Sequence, residues 1–131
     1  MLLKIYLITL PIFLAIDYVW LSIMSKLFYQ KHLGFLMAKS PNYLPALIFY
    51  LLYALGLVYF VVMPSLDKHS WQQAMLTGAL FGLICYATYD LSNLATIKDW
   101  PLNVTIVDLI WGTSVSSLTS LIMYAIGSKL S

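Results

Sequence analysis

Four long apolar runs, joined by short polar connections, use up nearly the whole chain. A bilayer core about 30 Å thick takes about 20 apolar residues in helix. Four segments reach that length: roughly Leu2–Met24, Tyr43–Met63, Gln73–Leu94 and Leu102–Ile126. In lipid, only helices and closed barrels satisfy their own backbone. These runs are continuous rather than alternating, so they read as helices. The expected fold is all-α: a polytopic transmembrane four-helix bundle with up-down topology, a single transmembrane domain over residues 1–131. Of the 131 residues, 62% are hydrophobic and 9% charged. A soluble domain carries about a quarter charged residues.

The connections fit this plan. The N-terminal run contains Asp17, continues to Met24 and lacks a small-x-small cleavage site, so it reads as a retained first helix rather than a signal peptide. The first loop, Ser25–Asn42, is the longest. Its stretch KLFYQKHLGFLMAK mixes aromatics and aliphatics with Lys26, Lys31 and Lys39, which suits a short interfacial helix in the headgroup plane. The second loop, PSLDKHSW, reads as a tight polar turn. The third, ATIKDWP, makes a hairpin of the last two spans. Pro11 is expected to kink the first helix; Pro45 and Pro101 sit near helix starts, where proline is tolerated. Loops one and three carry Lys26, Lys31, Lys39 and Lys98 against Lys4, Lys68 and Lys129 on the other side. The positive-inside rule therefore leans toward loops one and three in the cytoplasm.

Charge and side-chain chemistry exclude several functions. The net charge of +2 is small and scattered, so no nucleic-acid partner is expected. All basic residues except histidine are lysines, so an arginine fork for phosphate or carboxylate is missing. The single Cys85 has no partner for an intramolecular disulfide and reads as a packed apolar thiol. His32 and His69 fall in loops on opposite faces, so no metal site is expected, since ligands must converge. No Ser-His-Asp or Cys-His arrangement can be assembled at membrane depth. Tyr50, Tyr53 and Tyr59 read as packing and interface-belt residues.

Three of the five acidic residues lie inside apolar spans: Asp17, Asp90 and Asp108. A carboxylate in hydrocarbon costs roughly 2.5–3.5 kcal/mol on the mildest scale, and marks a functional site by default. At 1.5 Å per residue, all three lie roughly 6–11 Å below the membrane surface that bears loops one and three. If Asp99 is the centre of the third turn, Asp90 and Asp108 are equally far from it and level with each other. Small residues follow at helical spacing: Ala74, Gly78, Gly82, Tyr86, Asp90 on the third span, and Asp108, Gly112, Ser116, Ser120 on the fourth. Such rows let membrane helices approach closely. They aim Asp90 and Asp108 into one seam, where two carboxylates do not both ionise unless a cation or donor lies between them.

A second spacing ties in the first span. Asp17-x-x-Trp20 and Asp108-x-x-Trp111 each place acid and indole on one helix face. Asp90-x-x-Asn93 repeats the spacing with an amide, and Tyr86 adds a hydroxyl one turn before Asp90. The candidate ligand-binding residues are therefore Asp17, Trp20, Tyr86, Asp90, Asn93, Asp108 and Trp111. No catalytic residue and no cofactor is assigned.

At YATYDLSNLAT, DWP and VTIVDLIWGT, the sequence resembles a family of small bacterial inner-membrane proteins, domain of unknown function 2177. The likeness extends to IDYVWL, LFYQKHLG and FYLLYALGL. The resemblance implies four membrane helices and a bacterial inner-membrane location, and it brings no established activity. Three functions fit these residues. One is binding or transport of a proton, a cation or a small cationic ligand, with a homo-oligomer expected for transport. Another is an intramembrane enzyme acting on a lipid or isoprenoid, its carboxylates serving as general acid and base or holding a metal against a diphosphate. The third is an accessory subunit of a larger membrane complex. Membrane lipid is a partner in all three.

Overall fold

The computed structural model describes residues 1–130. Four helices are long and apolar enough to cross a membrane: α1 (Leu2–Leu33), α2 (Tyr43–Asp67), α3 (Trp71–Thr96) and α4 (Leu102–Leu130). Among the described residues there is no strand. The four-helix plan expected from hydropathy is the fold observed.

The ends of the first two spans differ from the expected ones. The α-helical part of α1 stops at Met24, but the chain passes through a π-turn at Ser25–Tyr29 and resumes as a short helix at Gln30–Leu33. The short helix expected in the first loop therefore exists, fused end to end with the first span. Lysines flanking Tyr29 do not break a helix at this position, because their stems run along apolar surface while the ammonium reaches water. The α1 helix also runs through Pro11 without interruption. In α2, a π-turn at Val58–Val62 sits just before Pro64, whose ring nitrogen cannot donate to the helix ladder. The second loop shrinks to Lys68–Ser70, with His69 in the left-handed region at φ 52°. Ser70 Oγ accepts from Gln73 N at 3.1 Å and starts α3, a serine cap of the preferred kind. The α3–α4 turn is centred on Asp99, also left-handed, at φ 64°.

Neighbouring helices close a ring: α1 packs on α2 and α4, α2 on α3, and α3 on α4 along most of its length. The α3–α4 seam is the tightest. A methyl built on Gly82 would lie 2.0 Å from the Gly112 carbonyl oxygen, and one on Gly78 would lie 2.7 Å from Ser120 Oγ. The small-residue rows thus put these two backbones in direct contact, as their spacing predicts.

The outside is apolar and much of the inside is not. Leu3, Leu7, Leu47, Leu52, Leu76, Leu80 and Ile110 are exposed, while Thr9, Ser65, Thr105, Ser116, Thr119 and Ser120 are buried. An exterior of this kind suits hydrocarbon rather than water. The bundle fills in layers. One end holds Ile5, Val58, Val62 and Met123. Next come Phe13, Tyr53 and Val115. Buried positions on α1 recur every four residues at Ile5, Thr9, Phe13 and Asp17. On α3 they are Ala74, Gly78, Gly82 and Asp90. Both stripes end on an acid, and the third layer is the one that contains all three aspartates.

Candidate functional site

The layer above Phe13 and Tyr53 is a cavity of about 320 Å³ lined by Asp17, Asp90 and Asp108. Trp20, Tyr86 and Trp111 line it too. Of the seven residues singled out from the sequence, six share this cavity. Asn93 does not; it lies one turn beyond Asp90, outside the lining.

The acids are held differently. Asp17 is 7% exposed and satisfied on both oxygens: Trp111 Nε1 donates to Oδ1 at 3.2 Å, and the Tyr50 hydroxyl donates to Oδ2. Asp108 accepts from the Tyr29 hydroxyl, which in turn accepts from Trp20 Nε1 at 3.2 Å. The two indoles stack on each other, with centroids 4.1 Å apart and planes 6° apart. The matching Asp-x-x-Trp pairs therefore cross: each indole serves the acid of the other helix, Trp111 directly and Trp20 through Tyr29. The spacing foretold a shared face; the exchange between faces is a finding of the structure.

Asp90 is the exception. It is fully buried, and neither carboxylate oxygen has a hydrogen-bond partner. The Asp108 carboxyl is its acidic neighbour in the same cavity. Two ionised carboxylates are acceptors only and cannot bond each other. Above this pair, Trp100 Nε1 donates to Thr105 Oγ1 at 3.1 Å, and Thr105 Oγ1 donates to the Asp90 carbonyl at 3.4 Å. The hairpin turn thus fixes the backbone at Asp90 and leaves its side chain unserved. Among the described residues, no three of His, Cys, Asp and Glu converge as a metal-ligand group. The three acids share a cavity but differ in service: Asp17 has a donor on each oxygen, Asp108 receives Tyr29, and Asp90 receives none.

Sequence reading missed Tyr29, Tyr50 and Tyr89 as wall residues. Tyr29 lies in the segment expected to leave the bundle. Ser25, Tyr29 and Leu33 line the cavity together, and their spacing of four was a usable signal. Tyr50 is expected as a packing or interface-belt residue; its ring does pack on Phe13 at 6.0 Å, and its hydroxyl also points inward to Asp17. Tyr53 packs as expected, 4.9 Å from Phe13. Its hydroxyl also meets Ser116 Oγ.

The relay through Tyr29 has a direct test. Tyr29→Phe keeps the ring but strands the Trp20 N–H and removes the hydroxyl that donates to Asp108. Leaving one buried polar group unpaired costs about 1–3 kcal/mol. The melting temperature in detergent, followed by circular dichroism, is expected to fall by several degrees. A melt superimposable on wild type would mean that the hydroxyl carries no net interaction.

No curated protein and no solved structure matches the chain. A family model described as predicted membrane protein (DUF2177) matches residues 2–125, all but the last few. Four apolar spans, an interior of hydroxyls and acids, and a match that long identify the chain as a member of that family of membrane proteins of unknown function.

Proposed function

We propose that the protein binds a small cation between Asp90 and Asp108 within the membrane. The observation that carries this reading is the pair of buried, unpartnered oxygens of Asp90 beside a second carboxyl. Burying unpaired charge is among the costliest acts in a fold. A cation entering the pair supplies what the protein itself withholds. Aromatic rings around the acids add favourable faces for positive charge. The compartment we read, on the sequence resemblance, as the bacterial inner membrane.

Binding is favoured over passage through a single copy. The cavity sits at one end of the bundle. Below it, Phe13, Val115, Ile5, Val58, Val62 and Met123 are all fully buried. A cation would have to cross two filled apolar layers to leave on the far side. Transport by this chain therefore calls for a rearrangement or a multimer, and binding does not.

The test uses purified protein in a non-ionic detergent, titrated with methylammonium, potassium and sodium and across pH 5–8. A ligand at 100 times its Kd adds about 2.7 kcal/mol to the folded state, a rise of several degrees in melting temperature. We expect that rise in wild type and its loss in Asp90→Asn. If wild type responds to no cation and no pH, or Asp90→Asn responds equally, the reading is wrong.

A further inference from the structure

The acidic cavity has an apolar neighbour. A second cavity, about 380 Å³, is lined by Phe49 of α2 and by Cys85, Tyr86 and Tyr89 of α3. Tyr86 and Tyr89 line the acidic cavity as well. Two of the four residues walling the apolar space are thus shared with a space lined by three carboxylates, of which Asp90 has no donor at either oxygen. Both volumes are in the range of ordinary ligand sites. Both lie on helices whose outer faces are apolar, Leu52 and Leu55 on α2 and Leu80, Leu83 and Ile84 on α3.

The donor inventory narrows the head group. Both oxygens of Asp17 are taken by Trp111 and Tyr50. Asp108 already receives Tyr29. Only Asp90 lacks a donor at both oxygens. A primary ammonium carries three N–H donors, enough for both oxygens of Asp90 and one more on Asp108. A trimethylammonium has charge but no donor and would leave Asp90 unpaired. A bare divalent metal needs more oxygen ligands than this pair offers, and among the described residues no third acid converges with the pair as a metal-ligand group.

We infer that the two cavities together take one amphiphile: a primary ammonium head between Asp90 and Asp108, and a hydrocarbon chain in the space walled by Phe49 and Cys85. This rests on the cation-binding reading above and names its ligand class. A free short amine would use the acidic cavity alone; a membrane amine would use both.

The experiment separates these. Affinities of methyl-, butyl-, hexyl- and octylammonium, with octyltrimethylammonium for comparison, are measured by thermal shift in one maltoside detergent. The proteins are wild type, Cys85→Phe, which fills the apolar space, and Asp90→Asn. Micelle partitioning is common to all, so ratios between proteins are the readout. In wild type, affinity rises at least tenfold from methyl to octyl, and octyltrimethylammonium binds at least tenfold more weakly than octylammonium. Cys85→Phe keeps methylammonium affinity and loses the gain with chain length. Phe49→Trp fills the same space from α2 and does the same, which covers a failure of Cys85→Phe to fold. Asp90→Asn loses the whole series. Equal affinity for methyl- and octylammonium overturns the amphiphile and leaves the cation site standing. So does a chain-length gain that survives both filling substitutions, or equal binding of the trimethylated probe. No binding by any member overturns the amphiphile, and with no response to sodium, potassium or pH either, the cation site falls with it.

Discussion

Replacing Gly82 with alanine is expected to lower the melting temperature by roughly 10 °C, the largest effect of any single methyl in the chain. The added carbon would sit 2.0 Å from the Gly112 carbonyl oxygen and 2.5 Å from Ser116 Oγ. The first contact is backbone, so no rotamer change relieves it. The α3 and α4 helices would have to separate, and every other contact along the seam would loosen with them. Overpacking costs about 1–3 kcal/mol and sometimes more; a rigid backbone clash puts this site at the top, and about 3 kcal/mol corresponds to about 10 °C for a chain this size. Against that, alanine gains up to about 1 kcal/mol of helix propensity over glycine, too little to compensate. Gly56→Ala is the control. There the new methyl meets only the Phe81 ring, Cζ at 3.0 Å and Cε2 at 3.6 Å, the far end of a side chain that can turn. Its melting temperature should stay level or rise. Equal effects at the two glycines in thermal melts would mean that α3 and α4 do not touch as described.

The second large effect is expected at Asp17, and its sign is less obvious. Removing a carboxylate from an apolar bundle relieves an insertion cost of roughly 2.5–3.5 kcal/mol. That relief belongs to entry of the first span into the bilayer. It does not belong to packing of the helices once inserted. In the packed bundle Asp17 receives Trp111 and Tyr50. Asp17→Ala strands both donors, each at about 1–3 kcal/mol, and leaves a void besides. A net loss of about 3 kcal/mol is expected on helix association, where membrane unfolding measurements report. Asp17→Asn keeps one acceptor oxygen, and the Tyr50 hydroxyl can turn to accept from the amide. It should cost about 1 kcal/mol. Adding Trp111→Phe to Asp17→Ala should cost less than the two singles summed, since their shared bond is lost only once. Alanine and asparagine variants that melt alike would remove the bonds from the account.

The spans were readable in the sequence because hydropathy over 20 residues depends on no partner. Where α1 ends was not readable. Ser25 and Lys26 look like an exit from the bilayer, and only the π-turn shows that the helix carries on to Leu33. The α3–α4 seam was legible for a local reason: glycine and serine at intervals of four, mirrored about Asp99, leave few other packings. Grouping Asp17 with Asp90 and Asp108 needed only depth. Which oxygens would be satisfied needed partners 33, 79 and 94 residues away, and no spacing rule reaches that far. Tyr50 shows the difficulty. A tyrosine near a span end is equally at home in a headgroup belt or turned inward, and the choice is made by what faces it. Asn93 shows the converse: the right spacing from Asp90, but a rotation that carries it past the cavity.

The crossed indoles carry a consequence for biosynthesis. Asp17 leaves the ribosome 94 residues before Trp111, a lag of roughly 5–20 s at ordinary elongation rates. Throughout that interval the first span lies in the bilayer with an acid that Trp111 cannot yet reach. Maturation of the nascent chain therefore waits for α4, and a polypeptide released before it should be recognised by quality-control proteases as unfinished, however well its earlier spans have inserted.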